Sequence, residues 1–241
     1  MIQVFKHIEE LDKAAADIFV QTAQWAVKNN GRFSVALTGG SSPVGLYKLL
    51  AQSPYREQIP WSQTYLFWGD ERWVPLTNEQ SNAKMAFETF INNVPVPQEQ
   101  IYPMWGKETP EVFAHQYENR LRNYFGPETT PAFDLVLLGM GDDGHTASLF
   151  PNTVVLQEKG RLVYAYYLEP QQMFRITLTA TCINQAKKIL FLTFGAKKAN
   201  ALYEVLEGER NPEKYPAQLI KPTSGDVIWL VDEAAAKKLK V

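Results

Sequence analysis

The segment from residue 133 to residue 151 carries the side chain best suited to proton transfer in this chain. An apolar run at residues 133–138 predicts a buried strand, and it ends in the glycine-rich residues 139–144. His145 follows at once, and it is one of only 3 histidines. Ligands of open α/β sheets bind outside the carboxyl ends of the strands, and histidine exchanges protons near neutral pH. The segment is therefore predicted to be an active-site loop.

Three kinds of chemistry can be compared at His145. A metal site is disfavoured because few ligands are at hand and no matching His or Cys pair lies elsewhere. A covalent nucleophile is disfavoured because Ser148 lacks a Gly-x-Ser-x-Gly frame. A general base fits well, since Asp143 can fix the imidazole tautomer and stabilise its charged form. The competing interpretation is a structural histidine that caps a helix.

Two further segments follow predicted strands and so belong to the same edge of the sheet. Residues 38–43 (TGGSSP) open a helix, where Gly40, Ser41 and Ser42 can approach and bind an anion. This segment is neither a P-loop nor a GxGxxG fingerprint, so nucleotide binding is not indicated. The alternative is a tight turn in which Ser42 caps the helix ahead of Pro43.

The second segment, residues 69–75, has the sequence GDERWVP. Arg72 can bind phosphate through its planar guanidinium. Asp70 and Glu71 can pair with that arginine in a surface cluster or bind sugar hydroxyls. The position after a strand favours a functional role.

Two basic residues are further candidates for anion binding. Arg175 interrupts an alternating apolar strand, and Lys197 lies at a strand-to-helix junction. Solvated surface charges are the competing interpretation for both.

Strand and helix patterns alternate along the whole chain. Strands are predicted at residues 2–5, 33–37, 64–68, 133–138, 162–168, 175–178, 188–194 and 227–231. Helices are predicted at residues 8–28, 44–50, 81–90, 110–124, 196–206 and 233–240. This alternation predicts one α/β domain spanning residues 1–241, with a mostly parallel, doubly wound sheet, helices on both faces and minor antiparallel additions.

Composition limits the function further. The hydrophobic fraction of 45% and the charged fraction of 21% are those of a globular protein. A formal net charge of −2 and the lack of a helix-turn-helix or basic element argue against a nucleic-acid partner. The single cysteine, Cys182, and the lack of a signal peptide or a membrane-length apolar run favour a cytoplasmic protein.

Several of these motifs together resemble 6-phosphogluconolactonase. They are residues 39–43, 69–75 and 81–82, the loop GMGDDGHTASLFP at 139–151, and residues 175–177, 195–199 and 229–232. The resemblance runs nearly the whole length, and the loop at His145 is its most specific part.

The resemblance implies hydrolysis of 6-phospho-D-glucono-1,5-lactone in the oxidative pentose phosphate pathway, with a small sugar phosphate lactone as substrate and with no cofactor or metal. His145 would activate water, Asp143 would orient it, and Arg72 or loop N–H groups would stabilise the oxyanion. The phosphate would meet Gly40, Ser41, Ser42, Arg175 and Lys197, with Asp70 also at the site.

Glucosamine-6-phosphate deaminase, which has a similar fold, is the alternative. That family typically has Asp-Glu-Tyr where this chain has residues 70–72, and a glutamate where this chain has Phe150. Both departures favour the lactonase. A sugar-phosphate-binding regulator without catalysis is a third interpretation, and the presence of His145 argues against it.

Overall fold

Seven parallel strands form the central sheet of the computed structural model, which describes residues 1–126 and 130–240. Their order across the sheet is first, tenth, ninth, sixth, second, third and fifth in chain numbering. They are β1 (Ile2–Phe5), β2 (Phe33–Leu37), β3 (Thr64–Trp68), β5 (Ile101–Tyr102), β6 (Leu135–Gly139), β9 (Lys188–Thr193) and β10 (Asp226–Asp232).

A second, antiparallel sheet of three strands lies beside the first. Its strands are β4 (Asp70–Arg72), β8 (Met173–Leu178) and β7 (Val163–Leu168), in that order. The eight helices are α1 (Ile8–Asn30), α2 (Val44–Leu50), α3 (Tyr55–Gln58), α4 (Asn82–Thr89), α5 (Pro110–Phe125), α6 (Ala180–Ile183), α7 (Ala199–Leu206) and α8 (Glu233–Ala236) among the described residues.

The direction in which the chain crosses the sheet reverses between β2 and β6. From β2 the chain moves through β3 to β5 at one edge, and from β6 it moves through β9 and β10 the other way. Because crossovers between parallel strands are right-handed, the two directions place helices on opposite faces. The fold is therefore doubly wound, as predicted, and its switch point lies between β2 and β6.

The local sequence explains the strongest elements. β2 is buried at every residue, as a parallel strand covered on both faces should be. Helix α1 buries Leu11, Phe19 and Ala26 along one face. It ends at Gly31, which has a left-handed φ of 74° and whose N–H donates to Val27 O at 2.9 Å.

Four predictions about secondary structure need correction. Asp70–Arg72 is a strand, since it pairs with β8 although its polar sequence shows no apolar alternation. Ser42 makes no capping bond, because α2 starts one residue later with Pro43 at the cap. The helix predicted from residue 196 begins as a 3-10 turn, and α8 ends at Ala236, not at residue 240.

No helix within the described ranges is long and apolar enough to cross a bilayer.

Asp12 joins α1 to α2 at a close contact. The residue is buried, and a Cβ placed on Gly45 would lie 1.8 Å from Asp12 Oδ2. Burial, with some repulsion from Glu9, raises the pKa of Asp12 to about 6. The folded chain therefore binds a proton that the unfolded chain releases above about pH 4, and this contribution to stability is lost as pH rises through 6.

We expect Asp12→Asn to stabilise the protein at pH 7 by about 1–2 kcal/mol, because the amide keeps an acceptor for the α2 backbone without a buried charge. The gain should shrink toward pH 4. Thermal unfolding across this pH range measures it, with Glu10→Gln, exposed on the same helix, as control. A gain that is equal at every pH would show that charge is not its cause.

Candidate active site

A cavity of about 250 Å³ opens at the switch point, between the loops that follow β2 and β6. Ser42 and Gly139 meet there, since a Cβ on Gly139 would lie 3.3 Å from Ser42 Oγ. The segments after β3 and β9 and the tip of the β7–β8 hairpin complete the walls. The lining includes Thr38, Gly39, Gly40, Ser41, Ser42, Asp70, Arg72, Asn82, Met140, Gly141, His145, Ala147, Phe150, Gln171, Arg175 and Lys198.

The imidazole of His145 is held from two sides. Its Nδ1 lies 2.6 Å from Asp143 Oδ1, and the ring stacks on Phe150 with centroids 4.0 Å apart. With Asp143 accepting from Nδ1–H, the other nitrogen, Nε2, carries a lone pair. Nε2 has no protein partner among the described residues, and the ring lines the cavity. The ring is thus placed to accept a proton from a molecule in the cavity.

Asp143 remains ionised beside the ring. Partial burial alone would raise its pKa, but the hydrogen bonds from the His145 ring and main-chain N–H outweigh burial and lower the pKa. The main-chain contact is 3.0 Å. The carboxylate can therefore fix the tautomer of His145 and stabilise its protonated form.

Glycines make the tight turn around this pair possible. A Cβ on Gly141 would lie 2.1 Å from His145 Nδ1, so no other residue fits without moving the ring. Gly144 has a left-handed φ of 79° and packs against Tyr215. The N–H of Ala217 donates to Gly144 O at 2.9 Å, which ties the loop to a neighbouring segment.

Two arginines lie opposite each other on neighbouring strands of the antiparallel sheet. Arg72 on β4 is the register partner of Arg175 on β8, so both side chains leave the same face and both line the cavity. Like charges directly opposite one another repel. Arg175 is only 5% exposed, and its Nε has no partner among the described residues. Burial, together with the repulsion from Arg72, lowers the pKa of Arg175, although the charge of Asp70 acts in the other direction. The pair is suited to receive an anion.

The loop after β2 adds uncharged donors. Gly40 has a left-handed φ of 74°, and Ser41 and Ser42 follow it at the cavity wall. Neither serine hydroxyl has a hydrogen-bond partner within the described part of the chain. Both are therefore free to donate to a ligand.

The lysine at the cavity is not the one that the sequence predicted. Lys197 is exposed and does not line the cavity, whereas its neighbour Lys198 is half-buried and does. The reason is the 3-10 turn at Ala196–Lys198, whose tighter winding changes which lysine turns inward.

The two acidic residues after β3 have different positions. Asp70, 6% exposed, lines the cavity, and its Oδ2 accepts from Ser148 Oγ at 2.6 Å.

Glu71 is buried away from the cavity, contrary to the expectation that it could bind sugar hydroxyls. Its carboxylate accepts from Ser81 Oγ and from the main-chain N–H groups of Asn82 and Ala83 at the start of α4. Burial raises the pKa of Glu71 to about 7 despite these bonds.

Sequence reasoning missed two polar residues at the cavity. Residues 81–90 are predicted only as a helix, and the position of Asn82 at the start of that helix was the available signal. Gln171, which contacts Arg175 Nη2, lies on a hairpin tip with no signal in the sequence.

No cluster of three or more His, Cys, Asp or Glu side chains in the described ranges could hold a metal ion.

The fold is a doubly wound α/β fold, and its switch point holds the His145–Asp143 pair beside a wall of arginine and serine side chains. This arrangement is typical of proteins that bind small anionic ligands. Comparison with known proteins identifies the family within this class. The glucosamine-6-phosphate isomerases/6-phosphogluconolactonase family matches residues 6–229. The chain belongs to this family.

Individual relatives agree with the family match. A 6-phosphogluconolactonase of Synechocystis sp. is 42% identical over 218 residues, covering 89% of this chain and 88% of the relative. One of Nostoc sp. is 37% identical, covering 100% and 98%. A solved 6-phosphogluconolactonase structure from Trypanosoma brucei superposes with a TM-score of 0.86 at 27% identity, covering 99% of this chain and 98% of that one.

We expect inorganic phosphate to stabilise the protein through the arginine pair. A ligand that binds only the folded state at about 100 times its Kd adds about 2.7 kcal/mol, so the melting temperature should rise with phosphate. Arg175→Gln should lose most of this rise, because glutamine keeps a polar side chain of similar reach but removes the charged donor. Differential scanning fluorimetry at constant ionic strength measures both.

The matched control for this experiment is Arg56→Gln, on an exposed arginine of α3. It should keep the full phosphate response. An equal response in Arg175→Gln would place the anion elsewhere.

Proposed function

We propose that this protein hydrolyses 6-phospho-D-glucono-1,5-lactone to 6-phospho-D-gluconate, in the cytoplasm, as the second step of the oxidative pentose phosphate pathway. The observation that carries the proposal is that the His145–Asp143 pair and the Arg72–Arg175 pair share one cavity. The names of the relatives at 37% and 42% identity support the choice of substrate. The whole chain, residues 1–241, acts as one domain with no cofactor or metal.

The reaction begins with water held by His145. Nε2 takes a proton as the water oxygen attacks C1 of the lactone, and a tetrahedral intermediate forms. The C1–O5 bond then breaks, and the imidazolium returns the proton to the departing ring oxygen. Asp143 stabilises the imidazolium between these two steps. Since a lactone is an activated ester, no covalent enzyme intermediate is needed.

The oxyanion on C1 needs a donor in the same cavity. The N–H groups of Gly141 and Gly144 are already bonded within the loop, to His145 O and Gly141 O. Arg72 donates through Nη1 to Gln80 O at 2.8 Å, which leaves its other N–H groups for the cavity. This favours Arg72 over the N–H groups of Gly141 and Gly144 as the donor to the oxyanion.

The phosphate group binds at the cationic wall. Ser41 and Ser42 donate from the loop after β2, and Gly40 allows the backbone to approach. Arg175 and Lys198 supply positive charge. Lys198 takes the role that the sequence suggested for Lys197, because only Lys198 lines the cavity.

Phe150 argues against deaminase chemistry. This residue stands where the deaminase family has a glutamate, and its ring lies flat against His145 at 4.0 Å. The position therefore supplies packing and not a second acid–base group. This position therefore supports hydrolysis by a single base.

We expect His145→Asn to lower kcat by roughly 10²–10⁴-fold with little change in KM, because asparagine cannot accept a proton near neutrality. Lactone loss, corrected for spontaneous hydrolysis, is the measurement. His115→Asn, exposed on α5, is the control. A folded His145→Asn variant with wild-type kcat would remove this residue from the mechanism.

We expect Lys198→Ala to raise KM for the phosphorylated lactone by about 10-fold or more, since a charge-assisted hydrogen bond contributes about 1.5–3 kcal/mol. Unphosphorylated gluconolactone should be hydrolysed almost as before. Steady-state kinetics with both substrates tests this, and Lys197→Ala is the matched control one residue away. Equal effects at the two lysines would contradict the assignment.

A further inference from the structure

Gln171 is an exposed polar residue at the cavity to which no role has been given so far. It ends the 3-10 turn Glu169–Gln171 at the tip of the β7–β8 hairpin, four residues before Arg175. The residue lines the cavity, whereas its neighbour Gln172 does not. Because Gln171 is exposed and borders the cavity, a ligand in the cavity can reach it.

The Gln171 side chain holds the guanidinium group of Arg175. Arg175 Nη2 donates to Gln171 Oε1, and Gln171 is the only hydrogen-bond partner of this guanidinium within the described ranges. The guanidinium carbon also lies 5.4 Å from the centre of the Phe150 ring. No carboxylate among the described residues is close enough to form an ion pair with Arg175. A buried cation is thus held in place by uncharged groups.

The neutral partner leaves the charge of Arg175 available. A carboxylate in the place of the Gln171 amide would be a fixed counter-ion, and it would compete with any anion that enters the cavity. An amide oxygen positions the guanidinium without cancelling its charge. Because a buried cation without a counter-ion is costly, binding of an anion beside it is favoured.

The nitrogen of the Gln171 amide has unused donors. A guanidinium group carries donors and no acceptor, so Oε1 and not Nε2 must face Arg175. Nε2 lies on the same carbon as Oε1 and has no hydrogen-bond partner in the described part of the chain. A phosphate group has several acceptor oxygens, so a single phosphate can accept from Arg175 and from Nε2 together.

We propose that Gln171 is a specificity-determining residue for the phosphate group of the substrate. Its Oε1 holds Arg175 without neutralising it, and its Nε2 donates to the phosphate that Arg175 binds. The inference rests on the proposed function, in which Arg175 binds the phosphate. The tip of the β7–β8 hairpin therefore recognises the charged end of the substrate, and a lactone without a phosphate does not use it.

Gln171→Glu tests this inference, because it keeps the size of the side chain and replaces the N–H donors with a negative charge beside Arg175. KM for the phosphorylated lactone should rise about 10- to 100-fold, whereas unphosphorylated gluconolactone should be hydrolysed almost as before. The melting temperature without phosphate should not fall, since glutamate can pair with Arg175. The rise on adding inorganic phosphate, measured by differential scanning fluorimetry at constant ionic strength, should be lost.

Two further variants separate charge from hydrogen bonding. Gln172→Glu is the matched control, because it places the same charge one residue away at an exposed position that does not line the cavity. It should keep the wild-type KM and phosphate response. Gln171→Met has a similar length but no hydrogen-bonding N–H group, and it should raise KM for the phosphorylated lactone by roughly 3- to 10-fold.

Three results would overturn the inference. The first is a folded Gln171→Glu variant with the wild-type KM and phosphate response. The second is an equal loss on the phosphorylated and unphosphorylated lactones, and the third is an equal effect of Gln172→Glu. A wild type that hydrolysed the phosphorylated lactone no faster than buffer would overturn the proposed function instead. The phosphate response would still decide the role of Gln171, because it requires no turnover.

Discussion

The reversal of crossover direction between β2 and β6 is the constraint on which this site depends. The connections after these two neighbouring parallel strands run in opposite directions, so the loops that follow the strands separate and leave a gap between them. The loop carrying Ser41 and Ser42 and the loop carrying His145 are the two that border this gap. The first loop carries the serine hydroxyls and the second carries the His145–Asp143 pair, so the cavity has both sets of groups only because of the gap that the sheet order creates.

The small antiparallel sheet supplies what the main sheet lacks. Its first strand, β4, begins at Asp70, two residues after the end of β3. Pairing of β4 with β8 brings Arg175 to the cavity beside Arg72, although the two arginines are more than 100 residues apart in the chain. Registering Arg72 opposite Arg175 concentrates positive charge in a protein of net charge −2. The positive charge at the cavity thus comes from local placement and not from the overall charge of the protein.

The sequence predicted those parts of the molecule that follow from short-range patterns. Buried strands such as Phe33–Leu37 and the loop at His145 have apolar runs and glycines that leave few alternatives. The family resemblance was confirmed by the match over residues 6–229. The pairing of His145 with Asp143 was also foreseeable, because only Gly144 separates them and a turn brings them together.

Features that depend on distant contacts could not be predicted in the same way. Which of Lys197 and Lys198 faces the cavity depends on the winding of the 3-10 turn at Ala196–Lys198. The burial of Glu71 depends on helix α4, which starts eleven residues later. The lone acceptor of Asn82 depends on how Asp70 is placed by its pairing with β8. Each of these is a tertiary property of residues whose types alone allow several roles.

The position of Glu71 affects where an anionic group of a ligand can bind. The amino end of α4 opens toward the same edge of the sheet, and its N–H groups would be an attractive position for an anion. The protein fills that position with its own carboxylate, in contact with Asn82 N and Ala83 N. Because the Glu71 carboxyl group already accepts from the N–H groups at the start of α4, these groups are not available to an anionic ligand.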